Sequence, residues 1–542
     1  MTKLPMTRLI KKAKYLLSAE KNEAPASSRE GLSICLVYPN TYYIGMSNLG
    51  FLTLYRILNS QPGIYCERAF LPDPEDLADY YRTGAPLFSL ESGRPLREFH
   101  IIAFSLCFEL DFPYVPKVLD LAGIPLKSRE RTNHDPLVMA GGLSAYTNPE
   151  PLADFIDIFI LGEGEEVVPE VVTICLKGSR QGLSWNEVFE TLREIGGVYL
   201  PSDFEVAYHQ DGTIARIKNK GGKINGPTRR WIVSLDSYPT ASSILTPHTE
   251  FKDQYLIEVS RGCPKRCRFC VTSFATGPFR CRSVEVLIDQ VKHGLTLSKR
   301  IGLVGAAVGD YPYLIELCSR IKDLGGKISL ASLPIKGFLP SLLPMLDQQT
   351  ITLAIETGSA ALQQKIGKYI EEDEIIETVE AAGRQANIKL YLIIGLPGES
   401  MDDILDTINL VRKIKDSMKR GLSLSVAPFI PKPHTPWARE AMEKTEILEE
   451  RLKLMKKHLP GVRFTPKSLR LARYQTAISR GDRRLGLVLS LVGSQGLPWP
   501  KAWKEAGLDP EFYTAKITDP KRILPWEHLQ VDRLQPSVFS LS

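Results

Sequence analysis

Patterns of buried strands alternate with patterns of amphipathic helices along two long stretches of this sequence. In the first stretch the apolar runs SICLVYP, IIAFSL, PLVMAGG and DIFIL alternate with helix patterns, and in the second stretch six such runs follow one another between Tyr255 and Phe429. Strands that alternate with helices pair in parallel through crossover connections. The sequence therefore predicts an α/β protein with a Rossmann-like domain followed by a partial (β/α)6 barrel. Periodicity alone leaves a second doubly wound sheet as the alternative for the later stretch.

Breaks in this alternation divide the chain. At about 150 residues per domain, 542 residues are enough for two to four domains. The polar stretch SAEKNEAPASSREG is typical of a linker, and the turn signals HQDGT, NKGGK and NGP separate the two α/β stretches. We therefore predict an N-terminal extension and linker (1–32), the Rossmann-like domain (33–196), a β-rich connector (197–250), the barrel (251–438) and a basic C-terminal region of small α+β type (439–542).

Composition restricts the class of protein. Hydrophobic residues make up 43% and charged residues 24% of the chain, as in ordinary soluble globular proteins. No apolar run approaches the roughly 18 residues that a membrane-spanning helix needs. The basic segment MTKLPMTRLIKKAKYLL lacks the apolar centre and cleavage site of a signal peptide. We therefore expect a cytoplasmic protein that does not insert into membranes.

Three of the nine cysteines stand close together in the segment RGCPKRCRFC, directly after a strand pattern. The spacing Cys263-x3-Cys267-x2-Cys270 lets one loop bring three thiolates to an iron–sulfur cluster. A 4Fe–4S cluster with three protein ligands keeps one iron open to a substrate or cofactor. A tetrahedral zinc site is the alternative, because Cys281 could supply a fourth ligand.

With Phe269 before its last cysteine, this motif resembles that of the radical S-adenosylmethionine (SAM) enzymes. Phrases such as VYPNTYYIGMSNLG, GLPGES and PFIPKPHTP extend the resemblance over roughly residues 33 to 530, to a subgroup with a cobalamin-binding-like N-terminal domain. The resemblance implies a 4Fe–4S cluster whose open iron binds SAM and whose electron cleaves SAM to a 5′-deoxyadenosyl radical, which abstracts a hydrogen atom from a substrate. It also implies a reductant of the flavodoxin or ferredoxin type.

The same resemblance implies where SAM would bind. Active sites of βα barrels lie at the carboxyl ends of the strands. The run Gly305-Ala306-Ala307 stands where the family usually carries Gly-Gly-Glu, so a backbone carbonyl would have to bind the SAM amino group. The residues assigned to the cofactor are Phe269, Gly305, Ala306, Asp310, Ser332, Glu356, Ile393 and Gly395. For these positions, turn glycines and polar groups of the barrel interior are the alternative.

A proline-rich loop, PKPHTPW, follows the sixth strand pattern of the barrel. At the barrel rim such a loop could close over a substrate, and its histidine could exchange a proton or a hydrogen bond with that substrate. We therefore take His434 as the candidate catalytic residue, with a solvated loop histidine as the alternative.

The N-terminal domain lacks the histidine that cobalamin-binding domains offer to cobalt. Those domains carry Asp-x-His-x-x-Gly after the first strand, whereas this chain has NTYYIG, with Tyr42 at the histidine position and Gly45 at the glycine. Further candidate cobalamin contacts are Ser105, Gly141, Gly142 and Gly162. Because tight turns of any Rossmann-like sheet need glycines, two readings stay open: cobalamin bound without a histidine ligand, or a structural or substrate-docking domain.

Eleven cations and a single acid lie in residues 451–490, an excess of ten, whereas the net charge of the whole chain is +6. Lysine and arginine contacts to phosphates dominate non-specific nucleic-acid affinity, so RNA is a candidate partner, and a merely solvated face is the alternative. Three function hypotheses follow: a radical SAM enzyme that abstracts hydrogen, a cobalamin-dependent radical SAM methyltransferase, and a nucleic-acid-binding protein with a structural iron–sulfur cluster.

Overall fold

The structure, a computed structural model, describes residues 3–23, 30–220, 227–418, 420–515 and 517–530. Across these ranges no helix combines the length and the apolar character that crossing a membrane requires. The first elements are helix α1 (Lys3–Ser18) and the short strand β1 (Lys21–Asn22). The basic segment at this end of the chain is therefore mostly helical.

A doubly wound sheet forms the N-terminal domain. Its elements are β2 (Leu32–Tyr38), α2 (Tyr42–Gly45), α3 (Leu49–Asn59), β3 (Ile64–Phe70), α4 (Pro74–Thr83), β4 (Ile101–Ser105), α5 (Tyr114–Ala122), β5 (Leu137–Gly141), α6 (Leu143–Thr147), β6 (Ile158–Ile160), α7 (Gly164–Gln181), α8 (Trp185–Leu192) and β7 (Val198–Tyr199). The strand order is β3-β2-β4-β5-β6-β7, parallel except that β7 runs antiparallel to β6. The Rossmann-like prediction is confirmed.

Helices cover both faces of this sheet, which explains its uninterrupted apolar strands. Ile34 and Leu36 of β2 pack in one core with residues of α3 and α7, while Cys35 and Val37 pack in a second core with residues of α5. The strand order reverses between β2 and β4. In sheets of this kind, ligands bind in the crevice outside the carboxyl ends of the strands at such a switch point.

Strand β3 is missed by the sequence analysis because charged residues interrupt its apolar pattern. Arg68 lies inside β3 and is fully buried. Its guanidinium pairs with Glu20 at 2.7 Å and with Glu91 at 2.6 Å, which compensates the buried charge. Glu20 belongs to the segment predicted as a linker, so this prediction is corrected: the start of that segment is part of the N-terminal domain's packing.

The connector contains the hairpin β8 (Phe204–Tyr208) and β9 (Ile214–Asn219), joined by the predicted turn HQDGT, and strand β10 (Ile244–Leu245). Strand β10 pairs antiparallel with β1. The other predicted turns, NKGGK and NGP, fall largely on residues 221–226, outside the described residues.

The second α/β series forms a partial barrel. Its elements are β11 (Tyr255–Glu258), β12 (Ser260–Arg261), α9 (Val271–Ala275), β13 (Arg280–Cys281), α10 (Val284–Leu297), β14 (Arg300–Val304), α11 (Leu314–Asp323), β15 (Lys327–Leu330), β16 (Thr350–Glu356), α12 (Ala360–Ile366), α13 (Glu372–Gly383), β17 (Asn387–Ile394), α14 (Met401–Ser417), β18 (Leu422–Pro428), α15 (Thr445–His458) and β19 (Arg463–Pro466). Two parallel sheets, β11-β14-β15 and β16-β17-β18-β19, meet through a bridge between Leu333 and Leu353. Strand β19 extends the barrel into the region predicted as the basic C-terminal part.

Helices α16 (Leu469–Ser479), α17 (Leu485–Gly493), α18 (Trp499–Glu505) and α19 (Pro510–Thr514) follow the barrel. Five of the eleven cations of residues 451–490 are engaged inside the protein: Arg451 with Glu399, Arg473 with Glu511, Arg480 with the carbonyl of Glu440, Arg483 with Glu150 and Arg484 with Asp482. The basic surface predicted for RNA is therefore smaller than the sequence suggests. Its exposed members are Lys453, Lys456, Lys457, Arg463, Lys467 and Arg470.

Candidate active site

The three clustered cysteines lie on the loop between β12 and β13, residues 262–279, which we call the cysteine loop. Cys267 is buried, and Cys263 and Cys270 are half-buried. Burial raises the pKa of the Cys267 thiol to about 11. The other charges that act on this thiol are those of Lys368, Cys270, Glu356 and Cys263. The loop and the end of β16 therefore share one site.

Cys281, the candidate fourth ligand of the zinc alternative, follows the cysteine loop directly. A tetrahedral zinc site would need its thiol beside the other three. Cys281 pairs with Ser260 between β12 and β13 and packs against the barrel core. The zinc alternative therefore has no support from Cys281.

Glu356 and Lys368 form an ion pair beside Cys267. The Glu356 backbone has a φ of 64°, at an irregularity in the pairing of β16 with β17. Lys368 Nζ lies 2.8 Å from Glu356 Oε1 and 2.6 Å from the Ala354 carbonyl. Sequence analysis missed Lys368, because it stands in the turn after α12 rather than at a strand end.

Arg261 precedes the cysteine loop and is held by carboxylates of both domains. Its guanidinium lies 2.8 Å from Glu165 and 3.2 Å from Glu163, which follow β6 in the N-terminal domain. It also lies 2.8 Å from Glu258, at the end of β11. Sequence analysis did not assign these four residues to a site, since nothing in their local pattern indicates their partners.

Two further arginines extend this cluster. Arg280, at the other end of the cysteine loop, lies 2.7 Å from Glu163, and the fully buried Arg282 lies 2.7 Å from Glu258. Burial alone would raise the pKa of Glu258, but Arg261 and Arg282 hold it below its usual value. Both ends of the cysteine loop are thus tied to Glu163 of the N-terminal domain, and we call this ion cluster the arginine clamp.

A cavity of about 330 Å³ lies between the N-terminal sheet and the barrel. Residues of α3 and α7 line it, and the predicted strand-end residues that line it are Ser105, Gly141, Gly142 and Gly162. On the barrel side Glu258, Arg261 and Gly305 line it. Its wall is mainly apolar at the N-terminal end and charged at the barrel end. The cavity therefore adjoins both the switch-point edge of the sheet and the base of the cysteine loop.

The residues predicted to bind SAM fall into different surroundings. Phe269 and Ile393 pack on one apolar cluster, which contains Leu362, Ile366, Leu396, Phe429 and Trp437. Asp310 pairs with Lys265 of the cysteine loop at 2.7 Å. Ala306 is exposed, and Ser332 lies beyond the end of β15 rather than on that strand.

Gly305 stands beside an unsatisfied hydroxyl. The Ser260 side chain is buried, and its Oγ has no hydrogen-bond partner among the described residues. A Cβ at position 305 would lie 3.0 Å from this Oγ. Buried polar groups are almost always paired, so this hydroxyl is a donor that a bound ligand could satisfy.

Gly395 stands at a tightly packed turn after β17. Its φ is 76°, and a Cβ would lie 2.7 Å from Leu448 and 2.9 Å from Glu443. Its N–H donates to Glu399 Oε2 at 2.7 Å. This glycine lines a different pocket, with Met442 and Glu443.

Tyr42 does not line the interdomain cavity, and its assignment as a cobalamin contact stays a prediction. Its hydroxyl donates to Glu20 at 2.7 Å, and burial raises its pKa well above the usual value. Gly45 likewise serves packing, because a Cβ there would lie 2.5 Å from the ring of Phe70. Glu20, in the segment predicted as a linker, thus accepts a hydrogen bond from Tyr42, which stands where cobalamin-binding domains have their cobalt-binding histidine.

His434 lies on the loop after β18, as predicted, and contacts the N-terminal domain. Its Nε2 lies 2.8 Å from the carbonyl of Thr147 in α6. Because a carbonyl only accepts, Nε2 carries the proton and donates it to the N-terminal domain. Next to it, Lys432 pairs with Glu109, which also accepts from Gln475. The proline-rich loop therefore docks onto the N-terminal domain, and His434 is engaged in this docking.

Near this docking site, Asp111 leads us to expect a pH-dependent stability. Burial raises its pKa to about 6, whereas aspartate in unfolded chains titrates near 3.9. The folded protein therefore holds this proton more strongly, and its stability falls as the pH rises from about 4 to about 6. The loss in the free energy of unfolding is at most about 3 kcal/mol, and Asp111→Asn should abolish this pH-dependent loss.

Chemical unfolding of the variant and the unmodified protein, below and above this window, measures that loss. Asp154→Asn, which removes an exposed carboxylate from the same domain, is the control. Identical pH profiles for Asp111→Asn and the unmodified protein would contradict the prediction.

The fold and the site are those of a βα-barrel protein with a three-cysteine loop at the mouth of the barrel and a doubly wound domain beside it. Residues 257–411 match the family described as the radical SAM superfamily, and residues 50–201 match radical SAM proteins, N-terminal. The chain belongs to the radical SAM superfamily of enzymes. This membership implies a 4Fe–4S cluster and SAM as cofactors.

Related proteins differ in what their names say. An uncharacterised protein of Methanocaldococcus jannaschii is 28% identical over 468 residues, 84% of this chain and 90% of the relative. An uncharacterised methyltransferase of Pyrococcus horikoshii is 25% identical over 370 residues, 61% of this chain and 74% of the relative. A tRNA-2-methylthio-N(6)-dimethylallyladenosine synthase of Clostridioides difficile is 23% identical over 189 residues, 32% and 40% of the two chains. Among solved structures, the cobalamin-dependent SAM radical enzyme OxsB with aqua-cobalamin and SAM bound has a TM-score of 0.48 at 15% identity, covering 88% of this chain and 70% of its own.

Proposed function

We propose that this enzyme holds a 4Fe–4S cluster through Cys263, Cys267 and Cys270 and cleaves SAM reductively to abstract hydrogen from a substrate. The observation that carries the proposal is the cysteine loop itself. One buried and two half-buried thiols lie together at the carboxyl ends of the barrel strands. A flavodoxin- or ferredoxin-type protein would supply the electron.

The chain's own residues would shape this site. When bound, the cluster and SAM supply the electron and the sulfonium bond whose cleavage begins radical chemistry. Phe269 and Ile393 form an apolar wall that excludes water. The Lys265–Asp310 pair ties the cysteine loop to the loop after β14. The Ser260 hydroxyl beside Gly305 is the free donor for a polar group of SAM.

Cobalamin-dependent methyl transfer is the second candidate, and the interdomain cavity favours it. The part of this cavity between α3 and α7 is apolar and lies at the switch-point edge of the N-terminal sheet. The cavity extends from there to the barrel. Its size suits the nucleotide tail of cobalamin. Ser105, Gly141, Gly142 and Gly162 would contact the tail. The chain has Tyr42 at the position of the cobalt-binding histidine, and the Tyr42 hydroxyl donates to Glu20. Neither a histidine nor this phenol would therefore bind the cobalt.

Anaerobic reconstitution tests the proposal. The full chain is reconstituted with iron and sulfide, with and without cobalamin, and then given dithionite and SAM. We expect 5′-deoxyadenosine as a product. Retained corrinoid together with S-adenosylhomocysteine would favour the methyltransferase. A cluster that forms without any SAM binding or cleavage would contradict both candidates and favour a structural cluster in a nucleic-acid-binding protein.

A further inference from the structure

We propose that the end of the barrel lumen opposite the cysteine loop, at the amino ends of β17, β18 and β19, binds a phosphate group of the substrate through Lys389, Ser423 and Arg463. The inference rests on the proposed function only for identifying the occupant of the lumen as the substrate. The binding chemistry itself follows from the strand register, from the exposure of these side chains and from charge.

The burial pattern of β17 shows which residues face the lumen. Ile388, Leu390 and Leu392 are buried in the core that also contains residues of α13 and α14. Successive side chains of a strand point to opposite faces, so Lys389 and Tyr391 face away from the helices. Tyr391 is 40% exposed and Lys389 is partly exposed, so solvent reaches this face.

Strand register places the three proposed residues side by side. Lys389 of β17 pairs with Ser423 of β18, which pairs with Arg463 of β19. Neighbouring strands are about 4.8 Å apart, so the two cations stand about 10 Å apart across the serine. Side chains as long as lysine and arginine can close on one group over that distance. The Ser423 hydroxyl between them donates to the Ile388 carbonyl at 3.3 Å, a long hydrogen bond that it would exchange for one to the phosphate.

The charge on this face is not compensated. Among the described residues, neither Lys389 nor Arg463 has a carboxylate within ion-pair distance, whereas the lumen carboxylates Glu258 and Glu356 are both paired. Beyond the edge strand β19, Lys467 and Arg470 add exposed cations. The open edge of the barrel beside β19 therefore attracts anions.

Two cations and a hydroxyl suit a phosphate monoester better than a carboxylate. A phosphate monoester carries a charge of about −1.5 to −2 at neutral pH and offers three acceptor oxygens, so it can use both cations and the serine together. A carboxylate carries a single charge. Lys389 Nζ also lies 5.3 Å from the centre of the Tyr391 ring, an exposed aromatic surface for the adjoining part of the substrate.

Calorimetric titration of the reconstituted full chain with inorganic phosphate, without SAM or reductant, tests the site. We expect phosphate to bind and acetate to bind much more weakly. Lys389→Met and Arg463→Met should each weaken phosphate binding about tenfold, the effect of losing one charge-assisted hydrogen bond. Arg463→Glu should abolish phosphate binding. Arg463 is exposed, so packing does not restrict this substitution.

The double variant Lys456→Met/Lys457→Met is the matched control, since it removes two exposed cations from α15, outside the lumen. The proposal is overturned by absence of phosphate binding, by equal binding of acetate, or by an equal loss in the control. Because the assay contains no SAM, its failure says nothing against SAM cleavage. Phosphate binding without SAM cleavage would instead refute the proposed function and leave the phosphate site standing.

Discussion

Cys267→Ala is expected to abolish reductive SAM cleavage while the protein remains folded. Cys267 is the buried member of the three thiols, and the charges of the other two act on it. Its loss leaves two ligands for a cluster that needs three. Iron and sulfide content after reconstitution, the absorption of the cluster and the yield of 5′-deoxyadenosine measure the effect.

Cys281→Ala is the matched control for this prediction. Cys281 is half-buried and near in sequence, yet it packs on the barrel core. We expect this variant to bind the cluster and cleave SAM as the unmodified protein does. Loss of metal in Cys281→Ala, together with zinc instead of iron in the purified protein, would contradict the cluster assignment.

Arg261→Met is expected to destabilise the protein and loosen the cysteine loop. The substitution leaves Glu165 without its ion-pair partner and reduces the compensation of Glu163 and Glu258. Breaking a buried ion pair by removing one partner typically costs about 3–5 kcal/mol. Chemical unfolding of the cluster-free protein measures the loss, and the alkylation rate of the loop cysteines, which should rise, reports the loop itself.

The pH dependence gives this prediction a second readout. The clamp holds the pKa of Glu258 below its usual value, so the stability it contributes is present above the ordinary glutamate pKa and is lost as the pH falls through the lower, folded value. The deficit of Arg261→Met should therefore shrink on acidification. Arg268→Met, which removes an exposed cation from the cysteine loop, is the control. An equal deficit in both variants would refute a specific role of the clamp.

Local patterns were sufficient for much of the fold. The apolar strands of both α/β domains are continuous because helices cover them, and the prediction found most of them. It missed β3, where Arg68 interrupts the apolar run, because the partners that permit this buried charge are Glu20 and Glu91, distant in sequence. It also missed β19, a short edge strand with exposed polar residues.

The sequence by itself determined what short spacing encodes: three thiols within one loop after a strand of a βα barrel, from which an iron–sulfur cluster is predicted. Only the tertiary structure decided which distant groups act together. In the structure Lys368 lies beside Cys267 and Tyr42 donates to Glu20. His434 donates to the carbonyl of Thr147, and Glu163 pairs with Arg261. The reason is physical: a loop sets the relative positions of residues a few bonds apart, whereas the partner of a buried charge or donor depends on how whole sheets and helices pack.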